Sequence, residues 1–276
     1  KMGILHLPQK YHSAYIIDGQ HRLYGYSESK YAETDCIPVV AFVNLDRSEQ
    51  LKLCMDINEN QKAVSKALRT TLNKDVYWDS KDKGKQRIAL CSTVAQAMGE
   101  DSSSPLQSRV IIGEDKETNE CCITVDAINQ ALNKCSFVNK YGKNNSLKSK
   151  GTFDFEDMDK TSQEFIKFLS SCFKYVQNNC TAQWDEGKQG VVTINRGIQA
   201  FIRVIDDITS MLVQEQRIDP LADKMDEVVS EVTFYLDPLC KYLSGLTPEE
   251  EKELKDTFGA GGDPKFYRYF QRAISN

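Results

Sequence analysis

The sequence predicts an α/β (α+β) fold, with a mixed-sheet N-terminal domain over residues 1–140 and a mostly helical region over 141–276. Three observations carry this expectation. Two short apolar runs, Ala-Tyr-Ile-Ile at 14–17 and Ile-Pro-Val-Val-Ala-Phe-Val at 37–43, have the length and composition of strands. Beyond residue 150 the apolar residues recur at helical spacing instead. Between the two regimes lies Tyr-Gly-Lys-Asn-Asn-Ser-Leu-Lys-Ser-Lys-Gly at 141–151, a polar stretch that reads as a mobile loop or internal boundary.

Taken in order, the strand at 14–17 runs into a helix from Gly19 to about Lys30, and 37–43 suits a buried strand. Asp46 or Ser48 is placed to cap a helix through about Ile57, with Leu51, Cys54 and Met55 on its inner face. Ser65 starts another helix, Lys85–Met98 reads as a further one, and 100–105 as a loop. Ser108–Gly113 and Asn119–Val125 read as the arms of a β-hairpin, after which Thr124 or Asp126 begins a short helix to about Lys134. In the C-terminal region the stripes Phe165, Phe168, Leu169, Cys172, Phe173, Val176 and Ile198, Phe201, Ile202, Ile205, Leu212 mark core-facing helices, followed by Val228, Val232, Tyr235 and Leu236. Asp263-Pro264 reads as a cap with proline in the first turn of a last helix.

A length of 276 residues with 40% hydrophobic and 27% charged content is ordinary for a globular chain of one large or two modest domains. No apolar run reaches the roughly 18 residues of a membrane span, and no segment reads as a secretory signal, so a cytoplasmic protein without a membrane anchor is expected. The sequence opens on Lys1, close to the first expected strand, which points to further natural sequence upstream. Nine cysteines without a Cys-x-x-Cys pair, far from the three histidines, read as reduced thiols; zinc would need long-range assembly. A homo-oligomer is compatible with the sequence.

The net charge of −5 excludes a generic nucleic-acid binder, yet it is unevenly spread. Residues 60–90 carry eight Lys/Arg against three Asp, whereas 206–256 carry five against fourteen Asp/Glu. Basic residues at 62–87, with four lysines at 140–150, therefore offer one route to DNA; two solvated surfaces are the plainer reading.

The most informative stretch is Asp18-Gly19-Gln20-His21-Arg22. At the start of a helix the first N–H groups lack intrahelical partners, and the helix dipole favours an anion there. Gly19 lets a ligand approach the backbone, Arg22 offers a planar fork, and Gln20 and His21 add donors. Phosphate is the leading anion. The dipole contributes about 0.3–1 kcal/mol and each charge-assisted hydrogen bond roughly 1.5–3 kcal/mol, so this turn alone gives an affinity nearer millimolar. The competing reading makes Asp18 a helix cap and Gly19 a turn residue.

This pentapeptide resembles the signature of the DGQHR-domain family, which includes DndB-type regulators of DNA phosphorothioation gene clusters. Such a string arises by chance in roughly one in ten thousand chains of this length. Ile57–Leu68 is similar to the family's Asn-x-x-Gln-Lys-x-Val segment, and Phe258–Phe270 to its C-terminal glycine-rich turn and helix. The resemblance implies a ParB/sulfiredoxin-like fold in which the Gly-x-x-Arg turn holds nucleotide phosphates. It further implies that Glu59-Asn60-Gln61-Lys62 stands where ParB-type proteins carry Glu-Asn-x-Gln-Arg, one residue shorter and with lysine for arginine. Sulfiredoxin has its reactive cysteine at the position of Gln20, so that chemistry is excluded.

The expectation is an NTP-binding protein, with ATP or another NTP and Mg²⁺ as ligands, acting in DNA modification, phage defence or their regulation. Gly19, Gln20, His21, Arg22, Asn60, Gln61 and Lys62 are expected to bind the nucleotide, and Glu59 and Asn60 the magnesium. If hydrolysis occurs, Asp18 or His21 orients the attacking water while Arg22 and Lys62 stabilise the transferred phosphoryl group. The alternative is a DndB-like DNA-binding transcriptional regulator with no catalytic activity.

Overall fold

The computed structural model describes residues 4–10, 13–61, 66–113, 115–256 and 262–275. The chain divides into two compact units, residues 1–64 and 65–276.

In residues 1–64 helix α1 spans Gln20–Ser27, shorter than expected, and gives way to turns through Thr34. Helix α2 (Arg47–Gln61) has a reciprocal start, in which the Glu49 N–H donates to Asp46 Oδ1 at 2.8 Å and the Asp46 N–H donates to Glu49 Oε2 at 3.0 Å. Met55 is buried and Leu51 and Cys54 half-buried, the inner face expected of this helix, which continues past Ile57.

Neither run expected as a strand pairs among the described residues. Residues 14–16 and 35–42 have no regular structure, with Tyr15 72%, Val40 84% and Val43 82% exposed. A strand is stable only where neighbours complete a ladder with it and cover one face, and among the described residues of this unit no ladder forms.

Residues 65–276 are mostly helical, carrying α3 (Lys66–Tyr77), α4 (Lys83–Glu100), β1 (Val110–Ile111), β2 (Ile123–Thr124), α5 (Val125–Lys134), β3 (Lys140–Tyr141), β4 (Leu147–Ser149), α6 (Met158–Asn179), α7 (Thr181–Asp185), α8 (Asn195–Gln214), α9 (Met225–Ser244), α10 (Pro248–Lys255) and α11 (Gly262–Ser275). Side-chain caps fix several of the starts. Asp82 accepts from the Gly84 and Lys85 N–H groups at the head of α4, Thr124 from Ala127 at α5, and Asp157 from Lys160 at α6. Thr247 and Glu250 form a capping box ahead of α10.

The expected β-hairpin is instead a parallel pair, Val110 opposite Ile123 and Ile111 opposite Thr124. No tight turn closes it. The connection returns to the start of β1, where the Cys122 and Ile123 N–H groups both donate to the Arg109 carbonyl, and Asn119 is held by Lys188 and Glu186. The stretch at 141–151 is also more ordered than a loop, since β3 and β4 pair antiparallel. In place of the mixed sheet expected of the N-terminal part, the described residues form two separate two-stranded ladders, both in the second unit.

One apolar core runs through this unit from Leu90 to Phe270. It crosses the expected domain boundary at 140/141, where Phe137 packs against Phe165 with ring centroids 4.8 Å apart and against Phe168 at 6.1 Å. Helices α5 and α11 pack on α8, α6 packs on α9, and α4 lies against α3, α5 and α6. Phe270 of α11 meets Phe201 of α8 edge-on at 4.9 Å. Among the described residues no helix is long and apolar enough to cross a membrane.

Candidate functional site

The turn at Asp18 is built as an open helix start. Gly19 is the N-cap of α1, with φ 88° and ψ 12°, and no side chain caps the helix. That left-handed conformation suits glycine, because a Cβ is disfavoured there by roughly 1–2 kcal/mol. It also settles how the carboxylate is used. Asp18 does not cap α1; it reaches one turn along the helix, where Arg22 Nη2 donates to its Oδ2 at 3.4 Å.

The guanidinium lies across the glycine. A Cβ at residue 19 would stand 3.2 Å from Arg22 Nη2, so the bare glycine backbone is what lets the arginine fold back over the turn. Arg22 keeps 76% of its side chain exposed, and Gln20 and His21 are exposed beside it. The arrangement presents the unmet amide end of a helix and a guanidinium to one region of solvent, which is the chemistry of an oxyanion receptor.

The second expected segment lies in the same unit. Residues 59, 60 and 61 form the last turn of α2. The side chains of Glu59, Asn60 and Gln61, and all of Lys62, lie outside the described residues. Among the described residues no group of three or more His, Cys, Asp or Glu side chains could hold a metal ion.

In the second unit the structure joins two basic segments that are far apart in sequence. Asn145 Nδ2 donates to the Lys81 carbonyl at 2.9 Å, and the Lys83 N–H donates to Asn145 Oδ1 at 2.8 Å. Asn144 and Asn145 both have left-handed backbones, φ 57° and 58°, which asparagine tolerates best after glycine. These two bonds seat the β3–β4 turn on the head of α4. Lys81, Lys83 and Lys85 from one segment and Lys143, Lys148 and Lys150 from the other are all exposed. Lys85 sits over the Tyr77 ring at 5.6 Å, and Lys140 donates to the Lys134 carbonyl at 3.0 Å.

A cavity of about 240 Å³ opens beside this surface, with Lys83 and Arg87 on its basic side and Asp154, Glu156 and Asp157 on its acidic side. Arg87 is structural: its guanidinium donates to Asn133 Oδ1 at 2.8 Å and to the Asn133 carbonyl at 3.0 Å, closing the end of α5. The role of Asn145 is not visible from charge counting; an Asn-Asn pair inside a polar, lysine-bearing stretch was the only signal of it.

Comparisons of the chain with protein-family models, with curated proteins and with solved structures found no match.

Proposed function

We propose that the chain is a nucleotide-binding DGQHR-domain protein with a ParB/sulfiredoxin-like N-terminal domain, cytoplasmic, acting in DNA modification, phage defence or their regulation. The observation that carries the reading is the uncapped start of α1, with Gly19 left-handed and Arg22 folded over it. Its exposed amide end and guanidinium match the terminal phosphates of ATP or another NTP. Gln20 and His21 supply further donors. Glu59 and Asn60 carry the hard oxygen donors that Mg²⁺ prefers, and the ion would neutralise charge on the phosphates. In a hydrolytic version Asp18 or His21 orients water, while Arg22 and Lys62 bear on the phosphoryl group.

The test is thermal stabilisation by ATP, GTP and CTP, each with and without Mg²⁺, on the wild type and Arg22→Ala. A nucleotide at 100 times its dissociation constant adds about 2.7 kcal/mol of stability. The expected result is a Mg²⁺-dependent rise in melting point that the variant loses. An equal rise in both proteins, or none in either, removes this site from consideration.

A second reading, a DNA-binding regulator without catalysis, is favoured by the seating of the β3–β4 turn on α4 by Asn145. Six exposed lysines from two segments then share one region of surface. Such contacts predict that log Kd varies with log salt by roughly 0.9 per phosphate neutralised. Binding to duplex DNA that is indifferent to salt, or absent at low salt, rules this reading out.

A further inference from the structure

We propose that Cys180 and Cys240 are a modification site: they form a disulfide when the protein meets a small hydroperoxide, locking the α6–α7 junction to α9. Among the described residues no cysteine is in a disulfide, and this pair differs from the rest in placement. Cys180 ends α6 and opens α7, with a backbone outside the helical region (φ −125°, ψ 37°). Cys240 lies in the last turns of α9, against which α7 packs.

Cys180 Sγ donates to the Cys240 carbonyl at 3.7 Å, across 60 positions of sequence, which brings the two cysteines side by side. Other buried thiols are turned elsewhere, Cys122 to the Thr193 carbonyl at 3.2 Å and Cys135 to the Ile202 carbonyl at 3.9 Å. Cys121 and Cys122 are sequence neighbours, and a bond between them is strained.

Both members of the pair are 1% exposed, and each has an exposed neighbour in sequence. Asn179, Thr181 and Lys241 beside them are exposed, and the cover includes a hydrogen bond from Ser244 Oγ to the Asn179 carbonyl at 2.8 Å. Local opening at this helix junction is enough to admit a peroxide.

The chemistry balances with the hydroperoxide as the sole oxidant. The Cys180 sulfur attacks the terminal peroxide oxygen, an S–O bond forms as the O–O bond breaks, and the other oxygen leaves with the thiol proton, as water from hydrogen peroxide or as an alcohol from an organic hydroperoxide, giving a sulfenic acid. The Cys240 sulfur then attacks the Cys180 sulfur, the S–S bond forms as S–O breaks, and water carries off the second proton. Each sulfur gives up one electron and the peroxide takes both. The Cys180 thiol beside it, together with burial, pushes the Cys240 thiol well above the usual thiol range, so Cys240 keeps its proton until the second step.

The experiment uses the full chain. Reduced protein is treated with hydrogen peroxide, remaining thiols are alkylated, and a digest is mapped without reduction. The expected result is a dominant cross-linked peptide joining Cys180 to Cys240, absent in Cys180→Ala and in Cys240→Ala. The wild type should melt several degrees higher once oxidised and return on treatment with dithiothreitol, because the cross-link restricts the unfolded chain. A dominant cross-link between other cysteines, over-oxidation of this pair without a cross-link, or no reaction overturns the proposal. The wild-type map decides alone if a variant fails to fold.

Discussion

The side chain of Asn145 is hydrogen-bonded to the backbone of Lys83, 62 positions earlier, with the Lys83 N–H donating to its Oδ1 at 2.8 Å. A second bond from its Nδ2 to the Lys81 carbonyl completes the seat. Two separate lysine clusters thereby become one surface, and a single amide ties the turn to the head of α4. Replacing it tests the surface without altering any charge. In Asn145→Ala the two lost bonds cost about 1–2 kcal/mol in total, read by urea denaturation. If this surface meets DNA, its affinity falls and the salt slope decreases by roughly 2, as Lys143 and Lys148 detach together.

Gly19 and Gly25, both near α1, should respond in opposite directions. At Gly19 the backbone is left-handed and a Cβ would press on the Arg22 guanidinium, so Gly19→Ala costs about 1–2 kcal/mol and shrinks any nucleotide-induced rise in melting point. At Gly25, inside α1, a Cβ meets nothing within 4 Å. There Gly25→Ala removes backbone freedom from the unfolded chain, and a gain of about 0.5–1 kcal/mol is expected in the same thermal assay.

Phe165 is the test of the core. It lies 4.8 Å from Phe137 and 5.7 Å from Phe153, ring to ring, and is fully buried. Phe165→Ala should lower stability by about 3–5 kcal/mol through lost burial and the cavity left behind. A loss under 1 kcal/mol in chemical denaturation contradicts the packing described.

Alkaline pH should unfold the second unit. Burial pushes the Cys91 thiol up to about 11, and burial with the Asp237 hydrogen bond raises the Tyr175 hydroxyl to about 12. Burial also raises Cys135 and Cys172. Groups whose folded pKa is raised contribute their full stability below the unfolded value and lose it as pH climbs through the folded one. For Cys91 the window runs from 9.0 to about 11, and the stability lost across it is about 3 kcal/mol. Melting points should therefore fall steeply across this range, and Cys91→Ala should fall less steeply than the wild type.

The sequence made the helices legible wherever one face had something to pack against. Thr124 as a cap and the Phe165–Val176 and Ile198–Leu212 stripes all sit where spacing places them. Strands were misread because apolar content reports a wish for burial, not the presence of a partner: Val39, Val40 and Phe42 are exposed, whereas Val110 and Ile123 pair in parallel through a connection with no turn signature. The hairpin at 140–149 escaped notice because two left-handed asparagines replace the glycines that mark such turns. At the candidate site, the pentapeptide located the turn, but its use of Asp18 depends on the backbone angle of Gly19, which composition does not encode.

The bare run at 37–43 also bears on how the protein behaves at high concentration. Five of its seven residues are Ile, Val or Phe, it carries no charge, and its backbone has no ladder partner among the described residues. Such a segment is a template for edge-to-edge growth into cross-β fibrils, restrained here chiefly by Pro38, which withholds one donor. A lysine in place of Val40 should lengthen the lag before fibrils form, and an alanine in place of Pro38 should shorten it, as followed by thioflavin fluorescence.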